Sequence, residues 1–274
     1  DWLSKRRRNQ YTMALSYFKD NFLGGSHNVK FGGEYLAETG NIIWNQGYAD
    51  NVIHFVRGDL TGPLTGVTPD SVRLYSTSDS KNELGTTSLF VTDSWRINRL
   101  TLNLGGRYDR YTGILPDQSA PTGQFSPART ITEDTVIEQS IGVWRAGASY
   151  DLTGNGSTAI KASYSRYGLQ TGIDRVTQVN PLTAGSRTCP WSDPNGDGVF
   201  QASEVTASTC SGFSGGVSTF YADGVKWPYS DEYTAGIETE LPGAIRMGAM
   251  FYYRTNRNQI GQRNILQPTS AYTP

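Results

Sequence analysis

One stretch constrains the fold of this chain more than any other: TSLFVTDSWRINRLTLNLGGRYDRYT, Thr87 to Thr112. It reads as two strands joined by a tight turn at residues 96–100. In the second arm Leu102, Leu104, Gly106 and Tyr108 alternate with Asn103, Gly105, Arg107 and Asp109. Successive strand side chains point to opposite faces, so this arm has one apolar and one charged face.

Other segments repeat the period of two. They are Tyr11–Tyr17, Val29–Tyr35, Ser88–Trp95 (where alternation weakens at Asp93), Trp144–Tyr150, Ile160–Tyr164, Tyr233–Ile237 and Ile245–Tyr253. With the second arm of the hairpin this makes about eight strands, enough for one all-β domain. On this register Leu102, Leu104, Tyr108, Val29, Phe31, Ile160 and Phe251 share the apolar face. Lys30, Glu34, Arg107, Asp109, Arg145, Glu238 and Arg254 share the polar one, where they pair across strands or contact a domain held in the interior. The adjacent Asp231 and Glu232 fall on opposite faces, which argues against a shared acid/base site.

Connections alternate in length. Short turns fall near 18–26, 96–100, 151–157 and 242–244, and long segments run over roughly 40–84, 113–142 and 169–230. Within the long segments, Val52–Arg57 and Val72–Tyr75 have the composition of short strands. Short turns at one rim and long loops at the other describe an outer-membrane barrel better than a sandwich, which mixes loop lengths at both ends. Mean hydropathy is low, at -0.47. A membrane strand needs only about ten alternating residues, so its apolar half is diluted. The 16 Tyr and 6 Trp suit the headgroup zone, where an amphipathic ring is favoured.

Hairpin sequences extend the argument. The VTDSW and LGGRYD runs resemble a hairpin of the TonB-dependent outer-membrane receptors. ASYDLTGNGSTAIKASYSRYG resembles the strand–turn–strand unit in which that family carries a DxxGxGxT turn. YSDEYTAGIETELPGAIRMGAMFYYRTNRNQIGQRN resembles a later hairpin, especially of the subgroup with a carboxypeptidase-regulatory-like N-terminal domain. The resemblance implies an antiparallel transmembrane β-barrel segment with long extracellular loops, lying in the bacterial outer membrane. It also implies energised import of a scarce solute such as a chelated metal, glycan or peptide. The family barrel has about 22 strands, together with a plug domain and a TonB-contact segment, and neither of these two is found here. Residues 1–274 therefore read as an interior part of one barrel. The remaining strands, the plug, TonB acting through the plug, and outer-membrane lipid are the implied partners. A structural or adhesive outer-membrane component and a soluble extracellular calcium-binding β protein are the alternatives.

Two features of the 169–230 segment carry chemistry. Asp193–Glu204, DPNGDGVFQASE, has the spacing of a twelve-residue calcium loop. Asp193, Asn195 and Asp197 stand at positions one, three and five, and Gly198 makes the sharp turn at six. Val199 offers its carbonyl at seven, Gln201 acts through water at nine, and Glu204 binds bidentately at twelve. The alternative is an acidic, Gly-rich surface turn. Cys189 and Cys210, the only cysteines, bracket this loop and pair in an oxidising compartment, the alternative being two free thiols.

The remaining signals are exclusions. A net charge of -1 gives no reason to expect nucleic acid. The KRRR run at Lys5–Arg8 reads as a solvated loop. Residues 1–20 lack the apolar core of a signal peptide, so the chain begins after processing or within a larger protein. His27 and His54 read as solvated loop residues, and without a nucleophile motif no enzyme is expected.

Overall fold

The computed structural model describes residues 3–44, 52–57, 68–123, 126–212, 219–243 and 245–265. Thirteen strands and one short helix follow in order. They are β1 (Leu3–Phe22), β2 (Gly25–Trp44), β3 (Val52–Arg57), β4 (Thr68–Tyr75), β5 (Ser78–Ile97), β6 (Leu100–Leu115), β7 (Gln118–Ala120), β8 (Arg129–Ile131), β9 (Asp134–Asp151), β10 (Thr158–Gly168), α1 (Asp174–Thr177), β11 (Ser186–Pro190), β12 (Tyr229–Leu241) and β13 (Ile245–Arg257).

Eight of these form a single antiparallel sheet in the order β1-β2-β5-β6-β9-β10-β12-β13. It is an up-and-down meander in which each long strand pairs with the next. The sheet is open, with β1 and β13 as its edges among the described residues. Connections at one end are tight turns. Those at the other carry a three-stranded sheet (β11-β4-β3) and a two-stranded one (β7-β8). The strand expected at Val52–Arg57 is β3, and Val72–Tyr75 lies within β4.

β1, β2 and β5 are each 20 residues long. Such a strand measures about 65 Å and, tilted by about 40°, rises about 50 Å, twice the roughly 25 Å apolar band of a membrane barrel. The strands therefore stand well clear of the bilayer at the long-loop end. Parts of the segments expected to be loop, Gly40–Trp44 and Ser78–Leu84, are strand instead. So is the Lys5–Arg8 run, which lies in β1, where Arg6 bonds Asp174 at 2.9 Å.

Register assigns the faces. Tyr17, Val29, Leu104, Ala146, Tyr164, Tyr233 and Tyr253 lie on one row. Ala148, Ala162, Ala235 and Phe251 lie on the next. All seven residues expected on the apolar face share it, and Phe31, Leu104, Tyr108, Ile160 and Phe251 are exposed there. Exposed leucine, phenylalanine and methionine on a continuous face mark contact with something apolar, and here that face is the lipid wall. Lys161 bonds Glu238 and Arg254 bonds Glu232, each at 2.5 Å, between neighbouring strands, while Arg107 bonds Asp109 at 2.7 Å two residues along β6.

The core lies on the inward face toward the long-loop end. Leu84, Tyr111, Leu115, Ile137 and Ile141 from the wall pack against Ile173, Val176 and Trp227 from the β10–β12 connection. Gly113 permits this approach, because a β-carbon there would stand 2.7 Å from the Val176 side chain.

Candidate functional site

The β10–β12 connection builds the mouth in two tiers. Its first part turns inward through α1 and is stitched to the top of β5. Ser78 donates to the Leu182 carbonyl at 2.7 Å. The fully buried Asn180 donates to Asn82 at 2.9 Å and Gln118 at 3.2 Å, and Arg129 donates to the Pro181 carbonyl at 3.0 Å. Buried polar groups are costly unless partnered, so these bonds fix the segment's position. The second part rises into β11, which pairs with β4 from the β2–β5 connection. Here Cys189 and Cys210 form a disulfide. With Val72, Leu74 and Trp191 they make a second small core, backed by Phe200 and Val205.

The Asp193–Glu204 loop lies beside this core. Asp193 accepts backbone N–H bonds from Gly196 and Gly198, both at 2.8 Å. Gly196 and Gly198 take positive φ, 70° and 68°, which their lack of a β-carbon makes cheap. Asp197 accepts from the Val199 N–H at 2.8 Å, from Gln201 at 2.7 Å and from Asn195 at 3.0 Å. Asp193, Asn195, Asp197 and Gln201 are thus drawn into one hydrogen-bonded turn. Val199 gives that turn its N–H, and its side chain points to solvent. Glu204 is turned aside, since its carboxylate accepts Trp191 Nε1–H at 2.9 Å and the Gln201 N–H at 2.8 Å. Among the described residues no three His, Cys, Asp or Glu side chains converge as a metal cluster would.

The Val199 N–H, with Gln201 and Asn195, holds the Asp197 carboxyl below the ordinary carboxylate range. A depressed folded-state pKa means that this stabilisation is present at neutral pH. It is lost as acid protonates the group.

Two polar clusters on the lipid-facing side escaped the sequence reading. Arg166 forks onto Asp231 at 2.7 and 3.0 Å, and Tyr164 donates to the same carboxylate at 2.9 Å. The guanidinium lies 4.2 Å from the Trp144 ring centre and 4.0 Å from that of Tyr229. Glu232, its neighbour in sequence, faces inward, as the alternation required. The second cluster involves His27, which is no solvated turn residue. It is 6% exposed, bonds Asp93 at 2.6 Å and stacks on Trp95. The weakened alternation at Asp93 was the trace of this pair in the sequence. His54 lies in β3, paired with Val72.

The family comparison agrees with this architecture. A family described as "Outer membrane beta barrel domain" matches residues 2–274. The TonB-dependent transporter Oar of Myxococcus xanthus is 29% identical over 255 residues, covering 81% of this chain and 22% of Oar. The crystal structure of the ferric-catecholate import receptor Fiu of E. coli K12, in its closed form, aligns with 96% of this chain and 32% of its own, at 15% identity and a TM-score of 0.47. The chain thus spans well under half the length of either protein. From the match over nearly its whole length, it belongs to the outer membrane β-barrel domain family, and its place is the bacterial outer membrane.

Proposed function

We propose that the chain forms part of the wall and outer mouth of a TonB-dependent receptor that binds a scarce solute and imports it across the outer membrane. The observation that carries this reading is the two-tier β10–β12 connection. One tier packs into the inward face against Leu84, Tyr111 and Ile137, and the other stands outside as a disulfide-bonded crown. A barrel serving only as an anchor has no need of a loop built down into its bore. The remaining strands, a plug and TonB acting through it belong to the rest of the protein, consistent with the fraction of Oar that the chain covers. Oar's description as a TonB-dependent transporter supports the same role.

The test uses the full receptor in living cells. Panels of ferric chelates, glycans and peptides are offered as labelled solutes, with and without functional TonB. Replacing residues 186–212 by a short Gly-Ser connection abolishes TonB-dependent uptake while the barrel still folds. Uptake indifferent to this replacement overturns the reading, and adhesion without TonB-dependent uptake favours a structural component. Orientation is checked separately. Protease added to intact cells cuts the 169–228 connection and spares the turns at 23–24, 98–99 and 152–157. Cleavage confined to those turns reverses the topology.

We further propose that the Asp193–Glu204 loop takes a calcium ion. All its side-chain donors are oxygens of the kind that a hard cation prefers, and Gly198 already makes the required turn. Asp193, Asn195, Asp197 and Gln201 supply side-chain ligands and Val199 its carbonyl, while Glu204 swings from Trp191 to complete the set. Calorimetry on the oxidised receptor should show an affinity of about 10⁻⁴–10⁻³ M, suited to the cell exterior. Asp197→Ala weakens it, and Trp191→Phe, which frees Glu204, strengthens it. An absence of heat at millimolar calcium leaves an acidic turn.

A further inference from the structure

The His27–Asp93 pair interrupts the apolar, lipid-facing side of the wall. Register places both residues on the lipid-facing side, beside Val29 and Val91. The level is the short-turn edge of the wall. His27 is the third residue of β2, and Trp95 is the third from the end of β5. Tryptophan favours this headgroup zone, and ionisable groups within a membrane wall are expensive and usually functional.

His27 Nδ1 and Asp93 Oδ2 are joined at 2.6 Å. Among the described residues, three further side-chain polar atoms of this cluster are buried without a hydrogen-bond partner: His27 Nε2, Asp93 Oδ1 and Trp95 Nε1. Three such atoms in one aromatic cluster exceed what a purely structural pair requires, since each unmade bond carries the cost of desolvation. Phe22 covers the cluster, its ring edge-on to His27 at 5.5 Å. It is itself half exposed and stands at a register shift. Its neighbours Asn21 and Leu23 both hold positive φ, 54° and 47°. For leucine that conformation is unusual, and it marks a strained turn under the covering ring. Lys19 on β1 lies directly opposite His27 and is exposed on the same face.

We propose that this cluster is a headgroup site for a phosphoethanolamine lipid, entered when Phe22 swings aside. The complementarity has two signs. Asp93 Oδ1 accepts from the primary ammonium. Trp95 Nε1–H donates to the phosphate, Lys19 adds its charge, and His27 holds the Asp93 carboxylate in place through Nδ1. A phosphocholine headgroup has no N–H to offer Asp93, and a phosphoglycerol headgroup brings no cation. The proposal rests on the lipid-facing register and not on solute import.

The full receptor is reconstituted with equal amounts of phosphatidylethanolamine, phosphatidylcholine and phosphatidylglycerol, and retained lipid is identified by native mass spectrometry. Phosphatidylethanolamine should be kept over phosphatidylcholine by about tenfold, the worth of a charge-assisted hydrogen bond. Asp93→Asn, which keeps the shape and removes the charge, abolishes that preference. Trp95→Phe, which keeps the ring and removes the donor, lowers phosphatidylethanolamine retention and serves as the test should Asp93→Asn fail to fold. Equal retention of the three lipids, preference for phosphatidylglycerol, a preference unchanged in Asp93→Asn, or retention unchanged in Trp95→Phe overturns the site.

Discussion

Replacing Asp231 with alanine costs the folded barrel about 3–5 kcal/mol, the range for removing one partner of a buried ion pair. Asp231 is 5% exposed and is the only carboxylate that Arg166 bonds among the described residues. Without it the guanidinium keeps its charge on the lipid-facing surface and retains only the Trp144 and Tyr229 rings. Those rings cannot neutralise it, because a cation–π contact offsets only a fraction of a lost, desolvated carboxylate. Removing both charges together, as Arg166→Met with Asp231→Leu, costs much less than the sum of the single changes. Urea titration of the whole barrel protein in vesicles, run as a double-mutant cycle, measures the difference. Additive losses would mean that the two groups act independently and that the short distances carry no coupling.

An arginine at Ala162 destabilises the barrel by about 2–4 kcal/mol, the cost of a charge at the bilayer midplane. Ala162 lies between Ala148 and Ala235 on the lipid-facing side, with no carboxylate directly opposite it. Ser163→Arg, one residue along, points into the bore between Gly147 and Thr234. It loses the 2.7 Å hydroxyl contact with Thr234 but keeps access to water, so its cost is small. The same urea titration reads both. Equal costs at the two positions would put the register out by one residue, because a one-residue slip exchanges the faces of a strand.

Alternation made the register of the membrane-spanning strands legible, and the asymmetry of loop length with the hairpin resemblance marked them as a barrel. Within the bilayer a strand must be apolar on one side, and the bore is polar on the other, so Leu102–Tyr108 and Ile245–Tyr253 declare their register. Above the bilayer that contrast disappears. In Ser78–Leu84 the inward Ser78, Ser80 and Asn82 are buried under the folded connection, while Asp79, Lys81 and Glu83 face outward. Both faces are polar, so the segment reads as loop although it is strand. The same reason hid Lys5–Arg8. His27 was misread for a different cause, since its partner lies 66 residues away in sequence and only strand pairing brings them together. In the candidate calcium loop, spacing revealed the turn around Asp193 and Asp197. It could not reveal that Trp191, thirteen residues before Glu204, holds that carboxylate aside.

β4 lies between β3, which arrives from the wall strand β2, and β11, which comes from the connection after β10. Two connections that leave the wall four sheet positions apart are thereby riveted into one plate. The Ser76 N–H bond to the Gly185 carbonyl at 2.9 Å and the Trp191 N–H bond to the Asp70 carbonyl at 2.9 Å pin that plate at both ends. Neither connection can swing without dragging the other. On this side of the bore the described parts of the two connections therefore form a single visor that moves as one piece.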